Sequence, residues 1–312
     1  MERDFRQIEW DDALDDDCRQ LVRLAVREDL EREQDWTTLA LAPAERTGTA
    51  AIVARQPGVA AGMRAVAAAI DEMGAVLSLE MVVADGDRVE AGACLGRLRG
   101  NVRDLLTCER ILLNMLGRLM GVATLTDSFA SRVAGTRARI YDTRKTTPGW
   151  RRLEKYAVRL GGGRNHRLGL YDAVLIKDNH LAQSAAAGET PGEVAAAAVR
   201  RCRRFLQELS SVERSHADLI LEIEVDSIAQ LAAVLQEGPD IVLLDNMSIE
   251  MLQQAVALRG ATAPAVELEA SGGVSLESVR RIAEIGVDRI SVGAITHGAR
   301  WLDVGLDWHD AG

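Results

Sequence analysis

The stretch ILEIEVDSIAQLAAVLQEGPDIVLLDNMSIEMLQQAVALRG, residues 220–260, contains the pattern that decides the fold. Two short apolar runs, 220–225 and 241–244, predict buried strands, and a segment with helical periodicity follows each of them. Both predicted strands end in polar residues, EVD and DNMS. This alternation is typical of a parallel sheet whose functional residues lie at the carboxyl ends of the strands.

The same alternation extends through residues 116–298. Further strands are predicted at 139–142, 173–176, 266–270 and 289–292, with helices at 191–209, 228–236, 249–258 and 276–285. We expect an incomplete TIM-like α/β barrel, because fewer strands are predicted than the eight of a complete barrel. A doubly wound open sheet would alternate in the same way, but no GxGxxG motif follows the first strand.

Residues 1–115 have a different pattern and predict an α+β sandwich-like domain. An acidic helix at 11–31 and an alanine-rich helix at 63–73 accompany short apolar segments. The turn residues Asp85-Gly86-Asp87 and Gly92 predict tight antiparallel hairpins between those segments. A helix at 105–120 is expected to join the two domains, and residues 299–312 are expected to pack back onto the first.

Composition excludes several classes of protein. The formal net charge is -10, which argues against a nucleic-acid-binding protein because such proteins need a broad basic face. The acidic N-terminus does not resemble a signal peptide, and no apolar run is long enough to span a bilayer. The four cysteines have neither CxxC spacing nor the density of a disulfide framework, so we expect a cytoplasmic protein with reduced thiols.

Positive charge is concentrated in residues 142–180, where nine Lys and Arg side chains face four Asp and Glu side chains. Arg144 and Lys145 follow one predicted strand, and Lys177 follows the next. Arg167 and His166 follow a glycine run that would let backbone amides approach an anion. These residues predict a site for a small, highly charged ligand. Most of these residues have an alternative role. Arg144 and Lys145 could be a solvated pair in a loop, Asp178 could neutralise Lys177, and His166 could be structural.

Arg151, Lys155 and Arg159 are spaced four residues apart, which predicts one solvated helix face that makes no ligand contact.

Acidic side chains are predicted at neighbouring strand ends. Glu222 and Glu224 are two residues apart in a predicted strand, so their side chains point to the same face. Asp245 follows the next strand. Lys145 or Lys177 could neutralise them. Carboxylates in this position suit Mg²⁺ or sugar hydroxyls, and structural ion pairing is the alternative.

Glycine-rich sequences follow the last two predicted strands. They are Ser271-Gly272-Gly273 and the sequence from Gly293 to His297. In barrels this region commonly binds phosphate through backbone amides. For His297, a capping role is equally compatible with the pattern.

Together these motifs resemble the quinolinate phosphoribosyltransferase family. The similarity extends through DTRKTTPG, GGGRNHR, LYDAVLIKDNH, EIEV, LLDNM, LEASGG and GVDRISVGAITH, and in the first domain through AREDL, DWTT, ARQPGVAAG and CERILLN. The resemblance implies transfer of a ribose 5-phosphate unit from phosphoribosyl pyrophosphate to quinolinate. Pyrophosphate and carbon dioxide leave, and nicotinate mononucleotide forms.

The resemblance also implies a role for each matching residue. Quinolinate would be held by Arg144, His166, Arg167 and Lys177, with Arg110 contributed by the partner subunit of a homodimer. Lys145, Glu224 and Asp245 would be catalytic, and the two acids would face Mg²⁺, indirectly through water and pyrophosphate. The phosphoribosyl group would be bound by Ser271, Gly272, Gly273, Gly293 and His297.

Two other functions are compatible with parts of the sequence pattern. A related pentosyltransferase could retain the donor site and use another aromatic acid, although four cations favour a dicarboxylate. A metabolite-binding protein on a degenerate barrel would have lost Glu224, Asp245 or the glycine loops, and all are present.

Overall fold

Two sheets organise the chain, and each lies in a body of its own. The computed structural model describes residues 4–212 and 219–309. The antiparallel-sheet body comprises Ile8–Asp127, Lys145–Gly163 and Ala294–Gly312, and the parallel-sheet body comprises Met1–Gln7, Ser128–Arg144 and Arg164–Gly293. The domain boundary predicted from the sequence, between residues 115 and 116, stays a prediction.

The antiparallel-sheet body begins with helices and closes its main sheet with the last strand of the chain. In its sheet, strand Val304–His309 pairs antiparallel with strand Thr47–Ala54. Strand Cys94–Asn101 lies on the other side of Thr47–Ala54, and Leu77–Met81 forms the far edge. Residues 310–312 lie outside the described part of the chain. The elements are α1 (Asp12–Leu30), α2 (Trp36–Leu41), β1 (Thr47–Ala54), β2 (Gly58–Val59), α3 (Met63–Glu72), β3 (Leu77–Met81), β4 (Arg88–Val89), β5 (Cys94–Asn101), α11 (Ala294–His297) and β12 (Val304–His309).

The Asp85-Gly86-Asp87 turn does not form the predicted tight hairpin. Strand β4, which follows this turn, pairs with β2 instead of a preceding neighbour. The reason is that the turn binds the segment before α3. The Asp85 carboxylate accepts hydrogen bonds from the amides of Gly62 and Met63 at 2.8 Å, and the Gly86 amide donates to Ala60. Asp85 thus satisfies amides at the start of α3 that a helix leaves without partners.

Two segments predicted to be helical, residues 105–120 and 151–159, lie within helices of the structure. Helix α4 (Val102–Val133) contains the predicted joining helix at 105–120. Helix α5 (Arg151–Leu160) buries Leu153 and Ala157, but its predicted solvated face is wrong at Lys155, which is completely buried. Regular spacing of charged residues does not reveal which of them the neighbouring elements cover.

The parallel-sheet body has six parallel strands in the order β6-β11-β10-β9-β8-β7. The strands are β6 (Arg139–Tyr141), β7 (Ala173–Ile176), β8 (Ile220–Val225), β9 (Ile241–Asp245), β10 (Glu267–Ser271) and β11 (Arg289–Ser291). The helices between them are α6 (Asp178–Ser184), α7 (Pro191–Val212), α8 (Ile228–Leu235), α9 (Ile249–Thr262) and α10 (Val279–Glu284). All six predicted strands are confirmed within one or two residues.

The strand order is that of a barrel opened between β6 and β7. Strands β7 to β11 follow one another, and β6, the first in the chain, lies beside β11. Within the described residues no ladder joins β6 to β7. The strand interiors are almost continuously buried, as expected for a sheet covered on both faces. The predicted fold class, a small α+β domain with an incomplete parallel barrel, is confirmed. No described helix combines the length and apolarity needed to cross a membrane.

Candidate active site

The predicted ligand residues of the parallel-sheet body lie at the carboxyl ends of its strands, in the order of the sheet. Lys177 follows β7, Glu224 lies near the end of β8, Asp245 ends β9, and Ser271 ends β10. Gly293 follows β11, and Arg144 follows β6. Because the strands are parallel, their carboxyl ends share one edge, so the structure brings these residues to the same edge.

Arg167 is a buried cation at this edge. The Arg167 guanidinium is only 6% exposed and donates a hydrogen bond of 3.3 Å to the carbonyl of Ala173. Burial, and then repulsion from Arg144, lowers the pKa of Arg167, while Glu222 and Asp172 oppose that effect. A buried guanidinium that faces a second one is well placed to bind an anion.

Lys177 and Glu224 form an ion pair between the ends of β7 and β8. Lys177 was one of the two lysines expected to neutralise the strand acids, and this expectation is confirmed for Glu224. Asp178, the alternative partner of Lys177, accepts a hydrogen bond of 2.6 Å from the Asn179 amide instead. Asp245 lies beside Asn246, whose side-chain amide donates to Asp245 Oδ2 at 2.9 Å.

The loop after β10 rests directly on the loop after β9. The Asn246 amide donates to the carbonyl of Ser271 at 2.9 Å. Gly272 has φ 94°, and a Cβ atom there would lie 2.1 Å from Asn246 Oδ1. Only glycine fits this position, and it leaves the backbone of the Ser271-Gly272-Gly273 loop accessible.

Three further predicted site residues belong to the antiparallel-sheet body. Arg110 is exposed on α4, His297 is exposed on α11, and Lys145 is exposed in the turn before α5. The Thr296 hydroxyl donates to the carbonyl of Lys145 at 2.8 Å, so α11 holds this turn. A cavity of about 420 Å³ in this body is lined in part by Thr146, Thr147 and His297.

A buried ion pair supports the same turn. Arg118 donates to the Glu154 carboxylate through Nε at 3.0 Å and to the carbonyl of Thr296 at 2.7 Å. Glu154 also accepts hydrogen bonds from the hydroxyl and the amide of Thr147. The conformation after Lys145 is therefore determined by side chains from α4 and α5 that the sequence analysis did not single out.

Comparison with known families agrees with this arrangement over most of the chain. Residues 35–120 match the model of the quinolinate phosphoribosyl transferase N-terminal domain, and residues 122–307 match that of its C-terminal domain. The chain belongs to the quinolinate phosphoribosyltransferase family.

Individual members of the family are similar to this chain over most of their lengths. A protein of Mycobacterium leprae named nicotinate-nucleotide pyrophosphorylase [carboxylating] is 44% identical over 294 residues, which cover 94% of this chain and 97% of the relative. Quinolinate phosphoribosyltransferase [decarboxylating] 2a, mitochondrial, of Nicotiana tabacum is 34% identical, over 93% of this chain and 82% of the relative. The structure of the nicotinate-nucleotide pyrophosphorylase from Francisella tularensis superposes with a TM-score of 0.84 at 33% identity, over 98% of this chain and all of that one.

His166 makes contacts within the protein that the family resemblance alone does not reveal. Its Nδ1 accepts a hydrogen bond of 2.8 Å from the amide of Arg167, so the ring proton lies on Nε2. Nε2 lies 3.0 Å from Glu222 and 3.6 Å from Glu269. This trio has the composition of a metal site. A protonated Nε2 cannot ligate a metal, however, so the observed tautomer does not suit one.

The carboxylates of Glu222 and Glu269, beside His166, have little positive charge around them to compensate their own. Both Glu222 and Glu269 are completely buried. Burial, and then repulsion from Glu222, raises the pKa of Glu269, and the charge of Arg289 opposes the rise. Sequence reasoning had placed Glu222 in the acid set and had missed Glu269. The signal was present, since Glu269 is an acid inside the apolar strand β10.

Asp142 is a second residue whose role was missed. It is completely buried directly after β6, where it accepts hydrogen bonds of 2.8 Å from the His166 amide and from the Asn165 side chain. The sequence analysis counted it only as an opposing charge. In this chain, Asp142 therefore fixes the loop that precedes Arg167.

Proposed function

We propose that the carboxyl edge of the parallel sheet binds quinolinate and phosphoribosyl pyrophosphate and joins them. The chain transfers the ribose 5-phosphate unit to the ring nitrogen of quinolinate. Pyrophosphate leaves the anomeric carbon, the 2-carboxylate leaves as carbon dioxide, a proton takes its place, and nicotinate mononucleotide is released. The observation that carries the proposal is the order of residues along the edge, with cations at its ends and acids and glycine loops between them.

The acceptor is assigned to the cations of the two edge strands. Arg144 and Arg167 provide guanidinium groups for the two neighbouring carboxylates of quinolinate, and Lys177 adds a third positive charge. The lowered pKa of Arg167 supports this assignment, because a dicarboxylate would relieve the repulsion from Arg144. His166 contributes its ring to the acceptor pocket, and it also positions Arg167. Its Nδ1 accepts a hydrogen bond from the Arg167 amide, and its Nε2 faces Glu222.

The donor is assigned to the interior strands. Displacement of pyrophosphate develops positive charge on the ribose, and the carboxylates of Glu224 and Asp245 would stabilise that charge electrostatically. Both acids offer the oxygen ligands that Mg²⁺ prefers, and when bound through water and pyrophosphate this ion would neutralise the leaving group. Lys145, which follows Arg144 directly in the chain, is assigned to the region between acceptor and donor.

The 5-phosphate is assigned to the glycine loops after the last two strands. Ser271, Gly272 and Gly273 offer a hydroxyl and accessible amides, and Gly293 offers another amide. The close contact between Gly272 and Asn246 links this loop to the strand that carries Asp245. His297 would add a side-chain contact to phosphate.

The substrate assignment is tested by product formation with two acceptors. Purified protein with Mg²⁺ and phosphoribosyl pyrophosphate is expected to convert quinolinate into nicotinate mononucleotide with one equivalent of carbon dioxide. Nicotinate is expected to react at least about 30-fold more slowly, because loss of one buried charge pair costs roughly 2–5 kcal/mol. Comparable use of nicotinate, or no product from quinolinate by a protein that binds the donor, would assign the site to another aromatic acid.

The exposed Arg110 is assigned to the quinolinate site of a partner subunit in a homodimer. Each single variant, Arg110→Ala or Asp245→Asn, is expected to be nearly inactive. After subunit exchange in an equal mixture, the mixed dimers contain one intact site, so activity is expected to recover to about a quarter of the wild-type value. Rates and gel-filtration profiles measure this. Absence of recovery, although mixed dimers form, would place Arg110 in the site of its own subunit.

We place the protein in the cytoplasm. Four cysteines without disulfide bonds support this location, because disulfides are rare in that compartment.

A further inference from the structure

Residues 4–7 lie outside both ranges that match the family models, yet they belong to the parallel-sheet body. Phe5 is 4% exposed and packs in a cluster with Tyr141, Ala173, Ile220 and Ile241. Three members of that cluster are the first residues of β7, β8 and β9. The segment therefore lies at the amino ends of these strands, opposite the edge that carries the ligand residues.

Three residues of this segment contact three successive residues of the loop that leads to Arg167. Asp4 accepts a hydrogen bond of 2.7 Å from the Arg164 guanidinium. The Gln7 side chain accepts from the amide of Asn165 at 2.9 Å and donates to its carbonyl at 3.1 Å.

Phe5 makes the third contact, with His166. Their rings are stacked with centroids 4.3 Å apart and planes inclined by 28°. The same imidazole accepts the hydrogen bond from the Arg167 amide and faces Glu222. Phe5 thus supports one face of a ring whose Nδ1 holds the backbone of Arg167.

Asp4 is itself fixed by buried groups. The hydroxyl of Tyr141 donates to it at 3.1 Å, and Arg289, which is 1% exposed, forms an ion pair with it at 3.1 Å. The guanidinium of Arg289 lies over the Tyr141 ring at 4.6 Å and also pairs with Glu267. Asp4 thus ties the segment to buried side chains of the parallel-sheet body.

We propose that residues 4–7 are a positioning element of the quinolinate site, in which Phe5 and Gln7 set the position of Arg167 through His166 and Asn165. The inference rests on the proposed role of Arg167 in acceptor binding. None of the positioning residues touches substrate, and their effect is on acceptor affinity alone.

The test compares two substitutions of buried phenylalanine in the parallel-sheet body. Phe5→Leu removes the stacked ring and keeps apolar volume, whereas Phe129→Leu makes the same change on α4 at a residue that is 3% exposed. Phe5→Leu is expected to raise the KM for quinolinate by roughly 10-fold to 100-fold, because a shift of about 1 Å in a binding group has effects of this size. The KM for phosphoribosyl pyrophosphate is expected to stay within about 2-fold. Phe129→Leu is expected to change neither KM.

Gln7→Leu is a second variant. It removes both hydrogen bonds to Asn165 and the one that the Gln7 side chain donates to the Phe5 carbonyl, while the Phe5 ring remains. It is expected to raise the KM for quinolinate in the same selective way. Thermal unfolding of every variant separates folding defects from the KM effect. An unchanged KM for quinolinate in both variants, or equal increases in both KM values, overturns the proposal.

A double-mutant cycle separates this inference from the assignment of Arg167. In the Arg167→Ala background, Phe5→Leu is expected to add less than about 2-fold to the KM for quinolinate, because both changes act on one contact. A selective effect of Arg167→Ala without any effect of Phe5→Leu leaves the proposed function intact and overturns the positioning role. No effect of Arg167→Ala overturns both.

Discussion

Arg167→Ala is expected to weaken quinolinate binding by about 100-fold, because truncation of one partner in a buried charge pair costs roughly 2–5 kcal/mol. Phosphoribosyl pyrophosphate binding is expected to change by less than about 2-fold, since Arg167 is assigned to the acceptor and the effects of substitutions at separate sites are nearly independent. Calorimetric titration of each substrate measures both affinities. Arg204→Ala, which removes an exposed arginine of α7, is the matched control and is expected to bind both substrates normally.

Arg167→Lys adds a test of geometry. It retains the charge but lacks the planar fork that pairs with a carboxylate, so quinolinate affinity is expected to fall between those of the wild type and the alanine variant. Equal losses of acceptor and donor affinity in Arg167→Ala would contradict the assignment. So would an alanine variant that binds quinolinate as tightly as the wild type does.

Asp245→Asn and Glu224→Gln are expected to lower kcat by roughly 100-fold to 1000-fold, the range seen when a group that stabilises transition-state charge is removed. Both substitutions keep the size of the side chain and remove its charge. A higher Mg²⁺ concentration is expected at half-maximal rate for each variant. Rates at saturating substrates across a Mg²⁺ titration measure both effects.

Asp245→Asn is the cleaner of the two variants, because Glu224 also pairs with Lys177 on the acceptor side. Glu237→Gln breaks a surface ion pair with Arg200 and serves as the control. A rise in the KM for quinolinate with unchanged kcat in Asp245→Asn would count against the donor-side role. An unaltered Mg²⁺ dependence would remove Asp245 from the metal environment.

Local pattern was sufficient to predict the strands and much of the candidate edge. Apolar runs that end in polar residues locate the carboxyl ends of strands, and parallel strands present those ends together. This is why Arg144, Lys177, Glu224, Asp245 and Ser271 could be assigned to one edge before their positions were known. The cost of leaving a strand acid without a partner predicted neutralisation by Lys145 or Lys177, and the structure pairs Lys177 with Glu224.

Long-range contacts account for what the pattern missed. The burial of Lys155 depends on elements distant in sequence, and charge spacing contains no record of them. The Asp85 turn pairs with residues before α3, although its composition suits a local hairpin equally well. Phe5 follows an acidic beginning without periodicity, so nothing local indicated that it would stack on His166.

The order of the parallel sheet separates the residues proposed to hold the acceptor from those proposed to handle the donor. Arg144 and Lys177 follow β6 and β7, the edge strands, whereas Glu224, Asp245 and Ser271 belong to strands with ladder partners on both sides. Under this assignment, mutations in the edge loops would alter acceptor selectivity and leave the hydrogen-bonded interior of the sheet undisturbed. New acceptor chemistry would then arise by substitution in two loops while the residues assigned to the donor stay the same.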